Sequence, residues 1–310
     1  MAPASPPATV PALPPQIGQL RLPLPPQGAA PLVIDCVADM HLQRSQPGTW
    51  AAFAHYLRHT PAQHVLLLGD VFEVWVGDDA LLEPGSFEAE VAELLRACTQ
   101  AGKALYLMHG NRDFMIGQGF AQATGVQLLP DPCVLELGSG PDAPRWLLSH
   151  GDALCTDDLP YQQFRAMSRQ PQWQQHFLAQ PLAARRALAG HIRSESEQRK
   201  QGQDSSGYVD LSPAATCQWL QRSGCATLIH GHTHSPGEHA LGQGLARIVL
   251  SDWDADAQPP RLQALRLRSD QGLHWTRIDL TAAAGPAAAS SATAAAQPAH
   301  TAAGCAPGGA

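Results

Sequence analysis

The sequence predicts an α/β protein whose strands and covering helices are layered about one polar site. Three observations carry this expectation. Short apolar runs alternate with stretches of helical periodicity, the pattern of strands packed under helices. Six runs, at residues 32–38, 64–68, 104–108, 146–149, 226–229 and 247–250, are short and apolar enough to be strands. Five of these six are followed at once by an Asp, Asn or His cluster, at residues 39–41, 69–70, 110–111, 150–152 and 230–234. Open α/β sheets take their ligands beyond the carboxyl ends of the strands, so clusters recurring at that point describe a single shared site.

In chain order, residues 1–30 are rich in Pro, Gln and Ala with almost no charge. A segment of that kind buries too little apolar surface to offset its ordering entropy, and a disordered extension is expected there. Residues 31–281 form the expected catalytic domain. Within it, residues 159–203 are rich in Gln and Arg, with apolar residues at helical spacing (Phe164, Met167, Trp173, Phe177, Leu178, Leu182, Leu188, Ile192). They predict a helical insertion between strands, a lid. From residue 282 to 310 an Ala, Pro, Gly and Ser tract is interrupted by Pro286, Pro298 and Pro307, which predicts a second disordered segment.

Composition removes several classes of function. The 310 residues are 44% apolar and 15% charged, ordinary for a globular protein. A formal charge of −7 gives no support to nucleic acid as a partner, because backbone-phosphate binding needs clustered Lys and Arg. The seven cysteines lack any C-x-x-C pair, so neither a disulfide framework nor a thiolate zinc site is expected, and a reducing cytoplasm suits them. No run approaches the roughly 18 consecutive apolar residues of a membrane span, and the start lacks the features of a secretory signal.

The clusters themselves point to metal chemistry. His and carboxylate side chains suit Mn, Fe or Zn, and two such ions about 3.5–4 Å apart activate a water while clamping a phosphoryl group. Such a pair needs a bridging carboxylate, and Asp70, preceded by the flexible Gly69, is the natural one. In Asp39-Met40-His41 two ligands stand two residues apart, on one face of an extended segment. Gly231-His232-Thr233-His234 repeats the spacing, offering one His to each ion. Asn111 adds a neutral carbonyl oxygen and His150 a further imidazole. Each motif alone is weak. The ordered set D-x-H, G-D, G-N-R-D, H-G-D and G-H-T-H, each behind a strand, is specific.

This order resembles the calcineurin-like metallophosphoesterases over residues 32–253. The resemblance implies a double β-sheet sandwich flanked by helices (αββα), here with the lid insertion. It implies one metal held by Asp39, His41, Asp70 and His234, and a second by Asp70, Asn111, His150 and His232. Arg112 departs from the His that the family usually places after the Asn. An Arg does not give up its proton near neutral pH but clamps phosphate oxygens bidentately, so stabilisation of transition-state charge is its expected role.

Longer strings narrow the resemblance: Gly69 through Asp79 (GDVFEVWVGDD), His109 through Phe114 (HGNRDF) and His150 through Asp158 (HGDALCTDD). They are similar to the branch that cleaves UDP-2,3-diacylglucosamine in lipid A biosynthesis. Tyr161, Gln162, Phe164 and Arg165, with Arg193 and Ser196, fit that branch's helical insertion. The branch implies two Mn2+ per chain and water attack on the α-phosphate, giving UMP and 2,3-diacylglucosamine 1-phosphate. Asn111, Arg112 and His232 would act in catalysis and on the substrate phosphate, with Asp158, Ser196 and Lys200 at the glucosamine headgroup. An acylated sugar nucleotide as substrate further implies peripheral work at the cytoplasmic face of the inner membrane. The apolar insertion, or basic residues such as Arg185, Arg186 and Arg193, would make that contact. The insertion's apolar residues either receive acyl chains or are ordinary helix packing.

Other polar residues have two readings each. Asp78 and Asp79 either orient His ligands or form a solvated acidic turn; Asp113 and Asp152 either bond to a ligand ring or stabilise turns. Glu73 and Trp75 support the resemblance without a chemical role, His109, His191 and His239 read as surface or packing residues, and Cys155 as structural. Two rivals stand beside the leading function. One is another two-metal phosphoesterase acting on soluble nucleotides or phosphoproteins. The other is a noncatalytic scaffold on the same fold, for which a full set of seven ligands has no use.

Overall fold

A computed structural model describes residues 17–201, 209–270 and 272–281, excepting the side chains of 194–201. Its elements are β1 (Gly18–Leu22), β2 (Val33–Val37), α1 (Pro47–His59), β3 (His64–Leu68), α2 (Phe87–Gln100), β4 (Ala104–Met108), α3 (Gln118–Thr124), β5 (Gln127–Leu129), β6 (Cys133–Leu137) and β7 (Arg145–Ser149). Next come α4 (Leu159–Ser168), α5 (Pro171–Leu178), α6 (Leu182–Gln201), α7 (Pro213–Ser223), β8 (Thr227–His230), β9 (Gly237–Gly242), β10 (Leu245–Val249), β11 (Gln263–Arg268) and β12 (His274–Asp279).

The inner strands β2, β3 and β4 are near-continuous apolar runs because both of their faces are buried. Alternate residues of β2, β3 and β4 point opposite ways. Val33, Val37, Val65, Leu67, Leu105 and Leu107 face helices α1–α3, whereas Ile34, Cys36, Leu66, Leu68, Tyr106 and Met108 face the other sheet. The second sheet answers with Cys133, Leu135, Leu137, Leu148, Ile229 and Ile248, and turns Val134, Leu147 and Leu228 outward onto Ala215, Trp219 and Leu220 of α7. Three apolar layers thus separate four structural ones, helix, sheet, sheet and helix, as the resemblance implies.

Among the described residues each sheet has six strands, ordered β12-β11-β2-β3-β4-β5 and β1-β6-β7-β8-β10-β9. Strands β2 to β5 run parallel, as do β7, β8 and β10, so the carboxyl ends within each parallel set share an edge. Helix ends follow local chemistry: Ser86 caps α2 by accepting from Ala89 N at 3.1 Å, and Ser212 caps α7, with Pro213 following. Burying Trp219, 2% exposed, anchors α7, and its removal to Ala would cost about 3–5 kcal/mol.

All six expected strands are present within two residues of their expected ends, and six others were not anticipated. Strands β9, β11 and β12 mix polar with apolar residues, and β5 has three residues. Strand β6 has both faces buried, its Glu136 held by Arg21 and Arg145. Strand β1 corrects the expectation of disorder through residue 30, for Gly18–Leu22 pairs in parallel with Cys133–Leu137. Free strand edges gain hydrogen bonds whatever the surrounding proline content. Residues 282–310 lie outside the described residues. The stretch expected to be a helical insertion holds α4, α5 and α6. No helix among the described residues is long and apolar enough to cross a membrane.

Candidate metal centre

The exits from β2 and β3 run side by side as a continuation of their ladder. Asp39 N–H donates to Gly69 O (3.1 Å), His41 N–H to Asp70 O (3.0 Å), Leu42 N–H to Val71 O (2.9 Å) and Glu73 N–H to Leu42 O (3.2 Å). The β4 exit joins them: Asp113 accepts from Gly110 N at 2.7 Å and Val71 N at 2.8 Å, and Arg112 N–H donates to Asp70 Oδ1 at 2.8 Å. From the second sheet, His232 N–H donates to Asp39 Oδ2 at 2.8 Å, tying the β8 exit to that of β2.

This crowding explains the glycines in the motifs. A Cβ on Gly110 would land on the Asp70 carboxylate, and one on Gly231 would meet the Asp39 carboxylate and lie 2.6 Å from Ala38 Cβ. It also forces unusual backbone. Asp39, His41, Asp70, His232 and His234 all have positive φ, between 46° and 69°. Such conformations cost on the order of 1–3 kcal/mol each and persist where the surroundings over-determine them.

All seven expected ligands come together, in two groups. In the first, His41 Nε2 lies 3.3 Å from His234 Nε2 and 4.0 Å from Asp39 Oδ1, and His234 Nε2 lies 3.5 Å from Asp39 Oδ1. In the second, Asn111 Oδ1 is 3.0 Å from His150 Nε2 and 2.8 Å from His232 Nδ1. Asp70 Oδ2 stands between them, 3.9 Å from His41 Nε2 and 3.7 Å from His150 Nε2.

The donor set fits cations. Ligand atoms each about 2.1 Å from one ion are themselves about 3–3.5 Å apart, and the distances here, from 2.8 to 4.0 Å, bracket that spacing. Asp39 Oδ1 is buried without a hydrogen-bond partner. Asp39 and Asp70 are 0% and 2% exposed, and buried carboxylates require compensating positive charge. The rings register that demand. Against its burial, His150 is drawn up to about 9 by Asp70 and Asp39. His232 is held down at about 3 by burial and by His150, which keeps its ring neutral. Burial opposes the charge on Asp39 as well, but His234, His150 and His41 outweigh it and hold the carboxyl far below its usual range.

Two carboxylates that sequence reasoning left without a role stand behind these rings. Glu73 Oε2 is 3.1 Å from His41 Nδ1, and Asp252 Oδ2 is 3.7 Å from His234 Nδ1. The signal for Asp252 was its place two residues beyond the sixth apolar run, whereas Glu73 left none, since only the pairing of its segment with that of His41 brings it to the ring. Of the remaining acids only Asp113 takes one of its two expected readings, and the others are held by polar partners elsewhere in the fold. Asp113 ties turns; Asp78 accepts from Trp75 Nε1, Gly117 N and Phe120 N; Asp79 pairs with Arg185. Asp152 receives Tyr161 Oη and, at 2.8 Å, Arg165 Nε, fastening α4 to the His150 exit.

Arg112 borders the cluster, its guanidinium 3.7 Å from Glu73. Asp158 caps α4, accepting from Tyr161 N at 3.1 Å. Ser196 and Lys200 lie on α6, where their side chains fall outside the described residues. Of the basic residues expected at a membrane surface, Arg185, Arg186 and Arg193 are each paired with carboxylates of the body. Arg185, 2% exposed, binds Asp79 and Val76 O; Arg186 binds Glu83 at 2.6 Å and Glu88 at 3.3 Å; Arg193 lies 3.0 Å from Glu73. Of the insertion's apolar residues, Trp173, Phe177 and Leu182 pack against the domain core, whereas Met167, Leu178 and Leu188 are exposed.

Comparison with known proteins agrees with this geometry. The profile of the calcineurin-like phosphoesterases matches residues 32–236. A UDP-2,3-diacylglucosamine hydrolase of Stenotrophomonas maltophilia (strain R551-3) is 43% identical over 239 residues, covering 74% of this chain and 94% of its own. Hydrolases of the same name from Chromohalobacter salexigens and Bordetella pertussis are 43% and 45% identical, covering 73% and 72% of this chain and 95% and 87% of theirs.

Proposed function

The chain belongs to the calcineurin-like phosphoesterase family, and on that premise we propose that it hydrolyses the pyrophosphate bond of UDP-2,3-diacylglucosamine. Water attacks the α-phosphate, giving UMP and 2,3-diacylglucosamine 1-phosphate for lipid A biosynthesis. The observation that carries this reading is Asp70 standing between two groups of ligand atoms, each drawn from the strand ends of both sheets. Asp39, His41, Asp70 and His234 would hold one cation, and Asp70, Asn111, His150 and His232 the other, with manganese implied by the resemblance. Bound there, the pair supplies Lewis-acid polarisation of phosphoryl oxygens and activation of a water.

The chain's own groups do the rest. Arg112, its main chain fixed to Asp70 Oδ1, holds a guanidinium at the rim of the cluster, where it clamps phosphate oxygens and offsets charge that develops on them. Asn111 and His232 meet the phosphate from the other side. Asp158, Ser196 and Lys200 hold the glucosamine headgroup. The exposed Leu159, Met167, Leu178 and Leu188 of the insertion support peripheral contact with the cytoplasmic face of the inner membrane.

The test is hydrolysis of UDP-2,3-diacylglucosamine by manganese-loaded protein in 18O-water. Attack at the α-phosphate places the label in UMP. Label in the sugar phosphate, or faster turnover of soluble nucleotides, would overturn the assignment. Flotation with anionic vesicles tests the membrane contact, which fails if the protein stays at the bottom of the gradient.

A further inference from the structure

We propose that Glu73 is a positioning residue that sets the His41 ring, Arg112 and the helical insertion against one another. Its two oxygens divide the work. Oε2 lies 3.1 Å from His41 Nδ1, while Oε1 lies 3.0 Å from Arg193 Nη1 and 3.7 Å from Arg112 Nη1. The carboxylate is not adrift. Its main chain is bonded to Leu42 beside His41, its neighbour Phe72 is 1% exposed, and Glu73 itself is 7% exposed. It also forms part of the wall of a cavity of about 450 Å³ that Leu42, Phe72, Phe87, Arg186 and Arg193 help to line.

The chemistry follows from this placement. An imidazole that gives Nε2 to a cation keeps its proton on Nδ1, and a carboxylate behind it fixes both tautomer and ring direction. The same carboxylate lets two guanidiniums share one region without repelling each other apart. Arg193 belongs to α6 and Arg112 to the β4 exit, so Glu73 is the point where the insertion is registered against the site. Asp79 and Asp152 also hold the insertion, but neither touches a ligand ring in doing so.

This inference rests on the two-cation reading of the site but not on the identity of the substrate, and the metal titration that decides it needs no substrate. Glu73→Gln, nearly isosteric, and wild type are stripped of metal and titrated with Co2+ and with Mn2+, following affinity by calorimetry and the cobalt visible spectrum. For Glu73→Gln a 10- to 100-fold weaker affinity at one of two sites and a changed cobalt spectrum are expected, with the metal-free melting temperature close to that of wild type. Arg193→Met should keep metal affinity within about twofold while raising KM for the acylated sugar nucleotide. Glu73→Asp should recover part of the lost affinity.

Unchanged cobalt affinity and spectrum in Glu73→Gln would overturn the proposal. So would a metal-free melting temperature that falls in proportion to the affinity, since that marks a merely structural residue. Should the lipid substrate fail to turn over while Glu73→Gln still loses cobalt, the substrate assignment falls and the role of Glu73 stands.

Discussion

The strand-end loops and the helical insertion both border the site, yet they are held by different means. In the loops the main chain does the holding. Four backbone hydrogen bonds join the exits of β2 and β3, five ligand residues have positive φ, and two glycines admit no Cβ. The insertion is held by side chains. Arg165, Arg185 and Arg193 reach Asp152, Asp79 and Glu73, Arg169 donates to Gly110 O at 2.9 Å, and Phe164 and Trp173 pack on Phe114. A backbone-held region fails as a unit when any part is displaced, whereas a region held by separate pairs loses its attachments one at a time.

The most severe test of that contrast is Asp70→Ala, which removes the group common to both proposed ligand sets. Turnover should fall by about 10³-fold or more, with metal content lowered by elemental analysis of the purified protein; wild-type UMP release would refute the bridging role. Next, Gly231→Ala pushes a methyl group against Asp39 and should cost about 100-fold in kcat/KM, the scale of a 1 Å misplacement. Its counterpart in the insertion, Gly190→Ala, meets no atom within 4 Å and should raise stability by about 0.5–1 kcal/mol. Equal losses from the two would erase the distinction.

Smaller effects sharpen it. Arg112→Lys keeps the charge but loses the planar fork, and a drop in kcat on the order of 10- to 100-fold is expected, with metal content unchanged. Arg185→Met breaks one attachment of α6. Thermal unfolding should show a loss of about 1–3 kcal/mol, less than for a fully buried pair because the Asp79 side chain is half exposed and screened. Smallest is the response to pH. Arg185 holds the Asp79 carboxyl below its ordinary value of 3.8, so the folded value lies under the unfolded one. The attachment is therefore complete above that ordinary value and lost only as pH falls through the depressed one. Trp173 emission should stay constant from about pH 5 to 8 and shift only in stronger acid.

What could be read from the sequence follows the same division. The loops were legible because their chemistry restricts the choice: Asp39, His41, Asp70, Asn111, His150, His232 and His234 are residue types with few alternatives, set at the ends of runs whose apolar character reports burial on both faces. The strands β9, β11 and β12 were not, since a strand of mixed polarity with Arg266 or Arg277 in it has no excess of apolar residues to count. Strand β1 was hidden by its proline-rich surroundings. Roles within the insertion were opaque for another reason. Nothing in the string around Arg185 says that its charge is 2% exposed and spent on Asp79, which lies 106 residues earlier. Glu73 was overlooked because its value depends on a neighbour, His41, supplied by a different strand.

The proposed ligand residues hang from both sheets, Asp39, His41, Asp70 and Asn111 from one and His150, His232 and His234 from the other. The gap between the sheets is therefore a dimension of the catalytic apparatus, set by the girth of Leu66, Leu68, Leu148 and Ile229 packed in the middle of the sandwich. Thinning that filling by a methylene or two, far from any phosphate, would narrow or skew the jaws themselves. Substitutions that look purely architectural at those positions should then register as altered metal affinity before they register as unfolding.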